Sequence, residues 1–201
     1  MIKIGILSLQ GDFLEHYQIL REIDNVEPVY VKKPEDLNKI NALIIPGGES
    51  TTIGMLIDLK GFAEPIKKLA EDNIPILGVC AGAVLLASSV IDRVVGETNQ
   101  PLLNLMNISV VRNIYGRQKN SFITDVHIEG IGVVKAAFIR APGIVDAWGS
   151  ARIIGYIEHP VVNKIGIAAI QDNLMAITFH PEITGDKKIY EYLVEKINEL
   201  K

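Results

Sequence analysis

The chain has 201 residues, a formal net charge of −4 with neutral histidines, and 48% apolar residues. This composition excludes a disordered or collagenous chain, and a chain of this length can bury roughly 70% of its unfolded surface in one domain, which we expect to span residues 1–201. The slight acidic excess offers no electrostatic footprint for DNA, RNA or anionic lipid, so nucleic-acid and membrane-surface binding are disfavoured.

Short apolar runs alternate with longer amphipathic runs, as in α/β proteins with a mostly parallel sheet. Strands are predicted at 2–7, 26–31, 42–45, 74–79, 108–112 and 135–140, and closely spaced antiparallel strands at 152–157, 165–170 and 174–179. Helices are predicted after a cap at Asp12, then at 51–59, 62–72, 81–91 and 186–201. We therefore expect a three-layer α/β fold, with a mostly parallel central sheet, helices on both faces and an antiparallel edge.

The segment 74–91 has no formal charge over 18 residues, the lower limit for a membrane-spanning helix. Pro75, Gly78 and Gly82 interrupt it, so a buried strand that runs into a buried helix is the better interpretation. The N-terminus shows no cationic leader, and the lone cysteine, Cys80, excludes an internal disulfide and a multi-cysteine metal site. We expect a cytoplasmic protein with a reduced thiol.

The most specific motif is G-x-C-x-G at 78–82, where a predicted strand meets a predicted helix. It is the cysteine form of the nucleophile elbow, a tight turn that strains the central residue and needs small flanking residues for close backbone packing. Such a turn presents the sulfur of Cys80 at a helix N-terminus, where unpaired N–H groups favour a thiolate. An isolated cysteine is usually an inert core residue, but the flanking glycines favour a catalytic one.

A thiolate nucleophile requires a base, and His180 is the best placed because it ends an apolar strand and is followed by Pro-Glu. The carboxylate of Glu182 can accept a hydrogen bond from one ring nitrogen, which leaves the other nitrogen for the sulfur. Cys80, His180 and Glu182 are therefore predicted to form a triad of nucleophile, base and orienter, although HPE alone would be an ordinary polar turn. The other histidines are interpreted as surface or turn residues: His16, His127 and His159.

The sequence PGGESTT at 46–52 directly follows the third predicted strand. Two consecutive glycines allow backbone N–H groups to point into a cleft, and acyl transfer needs such donors where negative charge develops on the carbonyl oxygen. We expect the N–H groups of Gly48 and Ala81 to form an oxyanion hole. The loop can also cap the next helix through Ser50 or Thr51, and it lacks the lysine of a phosphate-binding P-loop.

All of these motifs follow predicted strands. Ligands of open α/β sheets bind at the carboxyl ends of the strands, so the topology can bring together 9–11, 47–48, Cys80 and His180. This convergence indicates a cysteine-dependent acyl transfer or hydrolysis and leaves the substrate open.

Three segments, ALIIPGGESTT, GVCAGAVLLA and FHPE, together resemble class I glutamine amidotransferases. Further stretches are similar to one branch of that family, the glutaminase subunits of pyridoxal 5′-phosphate synthase, and span nearly the whole chain. They are IGILSLQGD (4–12), KKPEDL (32–37), PGGESTT (46–52), RNIYGRQ (112–118), FIRAP (138–142) and FHPEIT (179–184). The resemblance implies that the predicted fold is the flavodoxin-like fold of class I glutamine amidotransferases.

The resemblance implies that Cys80 attacks the side-chain amide of L-glutamine, giving ammonia and a glutamyl thioester that water hydrolyses to glutamate. It assigns His180 as acid and base, and Glu182 as its orienter. It also implies a set of glutamine contacts: Gly47, Gly48, Glu49, Arg112, Ile139 and Arg140. A guanidinium can clamp the carboxylate of glutamine, whereas the residues alone would indicate surface ion pairs for both arginines.

The resemblance further implies a partner, a separate barrel-shaped synthase subunit in a hetero-oligomeric complex, which combines the ammonia with a pentose phosphate and a triose phosphate. Pyridoxal 5′-phosphate is then a product of the complex, and no cofactor or metal is expected in this chain. Docking is expected to switch the glutaminase on by turning the N–H of the Gly47–Gly48 peptide into the oxyanion site. The alternatives are a glutaminase for another ammonia-using synthase, a cysteine peptidase or hydrolase on a similar fold, and a non-enzymatic binding module.

Overall fold

The computed structural model describes residues 1–115, 121–159 and 163–199. Their strands form one mixed β-sheet. The strands are β1 (Ile2–Leu7), β2 (Val26–Val31), β3 (Ala42–Ile45), β4 (Ile76–Val79), β5 (Ala87–Asp92), β6 (Gly96–Glu97), β7 (Met106–Arg112), β8 (Phe122–Ile128), β9 (Gly132–Phe138), β10 (Gly143–Ala147), β11 (Arg152–His159), β12 (Asn163–Gln171) and β13 (Leu174–Ile177). The helices are α1 (Phe13–Leu20), α2 (Ser50–Leu59), α3 (Ala63–Glu71), α4 (Ala81–Leu86), α5 (Pro181–Thr184) and α6 (Lys188–Glu199), with a 3-10 helix at Pro34–Lys39. The end of the stretch 112–118 and the last two residues of the helix predicted at 186–201 lie outside the described residues.

Five parallel strands form the half of the sheet that carries the site, in the order β2-β1-β3-β4-β13. This is the flavodoxin-like order, in which the direction of winding reverses between β1 and β3. The residues of β3 and β4 are all buried, because helices cover both faces, and this explains why their sequences are continuously apolar. The prediction of a mostly parallel sheet covered on both faces is confirmed.

Each face of the sheet has its own apolar core. Helices α1 and α6 pack on one face, against side chains such as Ile4 and Ile44. Helices α2, α3 and α4 pack on the other, against Leu43 and Ile45, the alternate residues of β3. The period-2 alternation of a strand thus supplies both cores from one short apolar run.

The other half of the sheet is mainly antiparallel. Strand β12 pairs antiparallel with β13, β11 and β10, which confirms the hairpins predicted from 152 to 179. The connection predicted as irregular between 112 and 135 instead contains β8, which pairs with β9. No helix of the described residues is long and apolar enough to cross a membrane.

The helix predicted at 81–91 is wrong beyond Leu86. Helix α4 ends there, and 87–92 form β5, which pairs in parallel with β7. The run from 83 to 91 is apolar enough for either a buried helix or a buried strand, and the pairing with a strand about twenty residues later decides between them.

Candidate active site

Cys80 occupies a strained turn between β4 and α4. Its φ is +50° and its ψ −98°, a conformation that L-residues rarely adopt. The backbone N–H of Cys80 donates to the carbonyl of Ile177 over 2.8 Å, which ties the turn to the neighbouring strand β13. The side chain is buried, with 8% of the residue exposed. This is the geometry of the elbow that the sequence predicts.

The glycines on either side of Cys80 are required by close packing. A Cβ on Gly82 would lie 2.1 Å from the carbonyl oxygen of Ile45 at the end of β3. A Cβ on Gly78 would lie 2.6 Å from the carbonyl oxygen of Gly82. Only glycine at both positions lets the first turn of α4 pass this close to the sheet.

His180 lies beside Cys80 because the two residues follow neighbouring parallel strands whose last pair is Val79 and Ile177. The N–H of His180 donates to the carbonyl of Ala137 over 2.8 Å, so β9 holds the turn in place. Its Nδ1 atom is 2.5 Å from Glu182 Oε1. The structure therefore brings together the three predicted triad residues.

A second carboxylate, which was not predicted from the sequence, contacts the same ring nitrogen. Asp12 Oδ2 is 3.0 Å from His180 Nδ1. Asp12 was interpreted as a helix cap, and it does precede α1, but its side chain makes no capping hydrogen bond. The available signal was its position in the LQGD segment after β1, since the carboxyl-end rule applies to that strand as well.

The pKa of His180 reflects these contacts. Burial alone would lower it, but hydrogen bonds to Asp12, Cys80 and Glu182 outweigh burial and hold the pKa well above its usual range. The imidazole is therefore protonated at neutral pH, with Nδ1 facing the carboxylates. An imidazolium next to a sulfur is the partner that a cysteine nucleophile needs.

The pKa of Asp12 moves in the opposite direction. Burial raises it, but the hydrogen bonds with His180 and Glu182 and the charges of His16 and His180 together outweigh burial and lower it to about 2. Ligand atoms of Asp12, His180 and Glu182 all lie within 4.8 Å of one another, close enough to share a cation. The proton on Nδ1 of His180 already supplies positive charge between the two carboxylates, so the arrangement fits a hydrogen-bonded imidazolium.

The remaining histidines differ from one another in their surroundings. His16 was interpreted as a surface residue, and this is wrong: it is completely buried beneath the site. His159 was interpreted as a turn residue, but it ends β11 and is buried, with Nε2 3.2 Å from the carbonyl oxygen of Ile114. His127 is exposed on β8, as expected.

The double glycine after β3 lies against the imidazole. A Cβ on Gly47 would be 2.5 Å from His180 Cε1 and 2.8 Å from Asp12 Oδ2. The carbonyl of Gly47 accepts a hydrogen bond from the N–H of Asp12 over 3.3 Å, which ties the loops after β1 and β3 together. Gly48 has a φ of +148°, outside the range that residues with side chains adopt readily.

Glu49 caps α2, and the prediction that Ser50 or Thr51 would do so is wrong. Its carboxylate accepts hydrogen bonds from the N–H groups of Thr51 (3.2 Å) and Thr52 (2.7 Å). Burial raises the pKa of Glu49, but hydrogen bonds from Thr52 and Thr51 outweigh burial and lower it. Glu49 lies one residue before α2, and its side chain is long enough to bring the carboxylate to the free N–H groups of the first turn. The carboxylate therefore makes the capping hydrogen bonds that were expected from a hydroxyl.

Arg112 is bound to the residues around this cap. Its Nη1 donates to Gln100 Oε1 over 2.5 Å and to Thr51 Oγ1 over 3.1 Å, and its Nη2 lies 3.5 Å from Glu49 Oε1. The guanidinium is thus held in one place by groups from α2 and from the segment before β7.

A cavity of about 130 Å³ opens beside the sulfur of Cys80. Its lining includes six predicted site residues: Gly48, Glu49, Cys80, Ala81, Arg112 and Arg140. It is far smaller than the roughly 300–1,000 Å³ of sites for drug-sized ligands, which suits a small metabolite. Two predicted glutamine contacts do not line it: Gly47 packs against His180, and Ile139 is half-buried next to Arg140.

Comparisons with known proteins agree with this architecture. The model of the SNO glutamine amidotransferase family matches residues 6–199. The chain is 54% identical over 194 residues to "Pyridoxal 5′-phosphate synthase subunit PdxT" of Hyperthermus butylicus, covering 96% of each chain. It is 50% identical to the protein of the same name from Pyrobaculum neutrophilum, covering 91% of this chain and 93% of the relative.

A solved structure described as a glutamine amidotransferase superposes with a TM-score of 0.87 at 36% identity, and the match covers 97% of this chain and 98% of the other. The family model and the curated relatives both extend over nearly the whole chain, including Cys80, His180 and Glu182. The chain therefore belongs to the SNO glutamine amidotransferase family.

Proposed function

We propose that the chain hydrolyses L-glutamine to L-glutamate and ammonia, and delivers the ammonia to a synthase subunit that makes pyridoxal 5′-phosphate. The observation that carries this proposal is a strained cysteine that is hydrogen-bonded to a buried imidazolium and lines the same small cavity as two arginines. The family supports glutamine as the amide donor, and the names of the relatives support the synthase as the destination of the ammonia.

The first half of the reaction forms a thioester. The sulfur of Cys80 attacks the side-chain amide carbon of glutamine, and the N–H groups of Gly48 and Ala81 stabilise the negative oxygen of the tetrahedral intermediate. His180 gives its Nε2 proton to the amide nitrogen, the C–N bond breaks, and ammonia leaves. The carboxylates of Asp12 and Glu182 keep the Nδ1 proton in place during this transfer.

The second half regenerates the enzyme. Neutral His180 takes a proton from a water molecule, and the hydroxide adds to the thioester carbon. The C–S bond then breaks, which releases glutamate and returns Cys80 as thiolate beside imidazolium. The thiol nucleophile must stay reduced, which is consistent with action in the cytoplasm.

The ends of glutamine match the charges of the cavity. Arg112 and Arg140 supply guanidinium groups for its carboxylate, and Glu49 supplies a carboxylate for its ammonium. Arg112 is already held by Gln100 and Thr51, so binding substrate requires little reordering of its side chain. No metal or organic cofactor takes part in these steps.

The experiment that tests the proposal compares two nitrogen sources in the presence of the barrel synthase subunit. We expect Cys80→Ala to abolish synthesis of pyridoxal 5′-phosphate from glutamine and to leave synthesis from an ammonium salt unchanged. The matched control is Asp72→Asn, because Asp72 is exposed before β4, at the opposite edge of the sheet from Cys80. Glutamine-dependent synthesis by Cys80→Ala at the wild-type rate would overturn the proposal.

A covalent label separates glutaminase chemistry from that of a peptidase. A diazo-ketone mimic of glutamine should modify Cys80, and excess L-glutamine should protect it. Mass spectrometry of the labelled peptide identifies the residue. Absence of labelling by the mimic, with a sulfur that still reacts with iodoacetamide, would favour the cysteine peptidase or hydrolase instead.

A further inference from the structure

His16 is buried directly behind the proposed triad. It lies on α1 and follows Asp12 by one helical turn, and none of its surface is exposed. Its Nδ1 atom is 2.8 Å from the hydroxyl oxygen of Tyr190 on α6, a side chain that is also fully buried. Contact between two helices thus fixes the orientation of the His16 ring.

The other ring nitrogen of His16 faces the two carboxylates that hold His180. Nε2 is 3.9 Å from Asp12 Oδ1 and 3.8 Å from Glu182 Oε2. The second oxygen of each carboxylate, Asp12 Oδ2 and Glu182 Oε1, contacts Nδ1 of His180. The two carboxylates therefore lie between two imidazoles, one next to Cys80 and one next to Tyr190.

Three buried polar atoms converge here without a hydrogen-bond partner: Asp12 Oδ1, His16 Nε2 and Glu182 Oε2. A buried polar group that is left unpaired is destabilising, so three such atoms around one point are expected only where they satisfy one another. A movement of about 1 Å, or one shared water, turns separations of 3.8 and 3.9 Å into hydrogen bonds. His16 is the only member of this group that can donate.

The contacts on both sides of the ring determine which nitrogen of His16 carries a proton. Burial, together with the charges of Glu182 and Asp12, raises the pKa of Tyr190 well above its usual value, so its hydroxyl stays protonated. Asp12 Oδ1, which Nε2 faces, belongs to an ionised carboxylate that can only accept, so the geometry places a proton on Nε2 and leaves Nδ1 to accept from the hydroxyl of Tyr190.

We infer that His16 is a positioning residue for the proposed reaction: its Nε2–H holds the carboxylates of Asp12 and Glu182 in the orientation that contacts His180. His16 is not among the residues that line the cavity, so it acts only through the two carboxylates. The expected effect on turnover rests on the proposed function, whereas the expected effect on the reactivity of Cys80 does not.

Turnover of glutamine by the complete complex is the first test. His16→Leu should lower kcat about ten- to a hundredfold, the range for residues that orient catalytic groups through hydrogen bonds, and should leave KM within twofold. His16→Gln should recover most of the loss, because its amide can direct an N–H to the same oxygens. Tyr190→Phe removes the hydroxyl that bonds to Nδ1 of His16 but keeps the aromatic ring, so it should lower kcat less than His16→Leu does. His127→Gln is the matched control on the exposed histidine of β8.

The pH dependence of Cys80 alkylation by iodoacetamide is the second test, and it requires no glutamine. Loss of the Nε2–H releases the carboxylates from the orientation that stabilises the imidazolium of His180, so the midpoint of alkylation should move to higher pH in His16→Leu and return toward the wild-type midpoint in His16→Gln. An unchanged midpoint together with kcat within twofold in folded His16→Leu would overturn the inference. An equal loss of kcat in His16→Leu and His16→Gln would also overturn the inference, since packing alone would then explain the loss. A wild-type complex in which Cys80 is alkylated normally but glutamine is not hydrolysed would refute the proposed function and leave this test intact.

Discussion

One imidazole proton is shared between two carboxylates at the centre of the site. Nδ1 of His180 lies 2.5 Å from Glu182 Oε1 and 3.0 Å from Asp12 Oδ2, so the charged form of each group stabilises the other. His180 gains a partner for its charge on folding, and the stability that this provides is complete below pH about 6.5 and declines progressively as pH rises from there toward the raised pKa of the folded state. The contribution of Asp12 has the opposite dependence on pH.

Asp12→Asn should lower the free energy of unfolding by about 2 kcal/mol at pH 7, because the pKa of Asp12 falls from 3.8 to about 2 on folding. A group with a lowered pKa contributes above its unfolded pKa, so the difference between wild type and variant should shrink as pH falls from about 4 toward 2. Unfolding in guanidinium chloride at several pH values in this range measures the difference in unfolding free energy. The control is Asp72→Asn, at an exposed position, for which the difference from wild type should not shrink in this way. A difference that stays constant from pH 7 to pH 3 would show that Asp12 is not held ionised by His180.

The nucleophile and base could be predicted from the sequence because each directly follows an apolar strand next to glycine or proline. For Asp12 the only signal was its position after β1, and His16 gave none, because its role depends on which face of α1 packs toward the sheet and on the distance to α5 and α6. A histidine in an amphipathic helix looks the same whether it faces solvent or a buried carboxylate.

At the scale of elements, the strand–helix junction determines where the sulfur lies. Helix α4 has only six residues, all buried, and its first turn touches the end of β3. Its N-terminal end was predictable from G-x-C-x-G, but its C-terminal end was not, because the pairing of β5 with β7 depends on contacts distant in sequence. Local pattern fixed the start of the helix and tertiary pairing fixed its end.

Gly82→Ala should lower the free energy of unfolding by about 2–3 kcal/mol, the upper part of the range for overpacked positions. The new Cβ would lie 2.1 Å from the carbonyl oxygen of Ile45, and neither backbone can yield without moving Cys80. The control is Gly61→Ala, where φ is +72° and no atom lies within 4 Å, so that only left-handed strain of about 1 kcal/mol is expected. Equal unfolding free energies for the two variants would mean that α4 does not press on β3.

At the scale of the whole molecule, the site lies where the loops after β1, β3, β4 and β13 meet, on one edge of the parallel half of the sheet. The carboxyl-end rule predicts this convergence from the order of motifs alone. It does not predict the partners of Arg112, since Gln100 and Thr51 come from segments whose relative placement depends on the antiparallel half. The location of the site was thus predictable, and much of its hydrogen bonding was not.

Docking of the synthase subunit should raise the glutaminase kcat about tenfold over that of the chain alone. The hydrogen bond from the Asp12 N–H to the Gly47 carbonyl, 3.3 Å long, restrains the peptide whose N–H is proposed to serve the oxyanion. Such a bond contributes about 0.5–1.5 kcal/mol net. A partner that binds the turned conformation of the peptide better than the restrained one by that amount raises the population of the turned conformation up to about tenfold.

Gly48→Ala should abolish the activation by docking and leave synthesis from ammonium salt intact. The reason is that φ at Gly48 is +148° and a Cβ there would lie 2.7 Å from Gln10 Oε1. A coupled glutamate assay measures both rates, and a chain that turns over glutamine alone as fast as in the complex would contradict the switch.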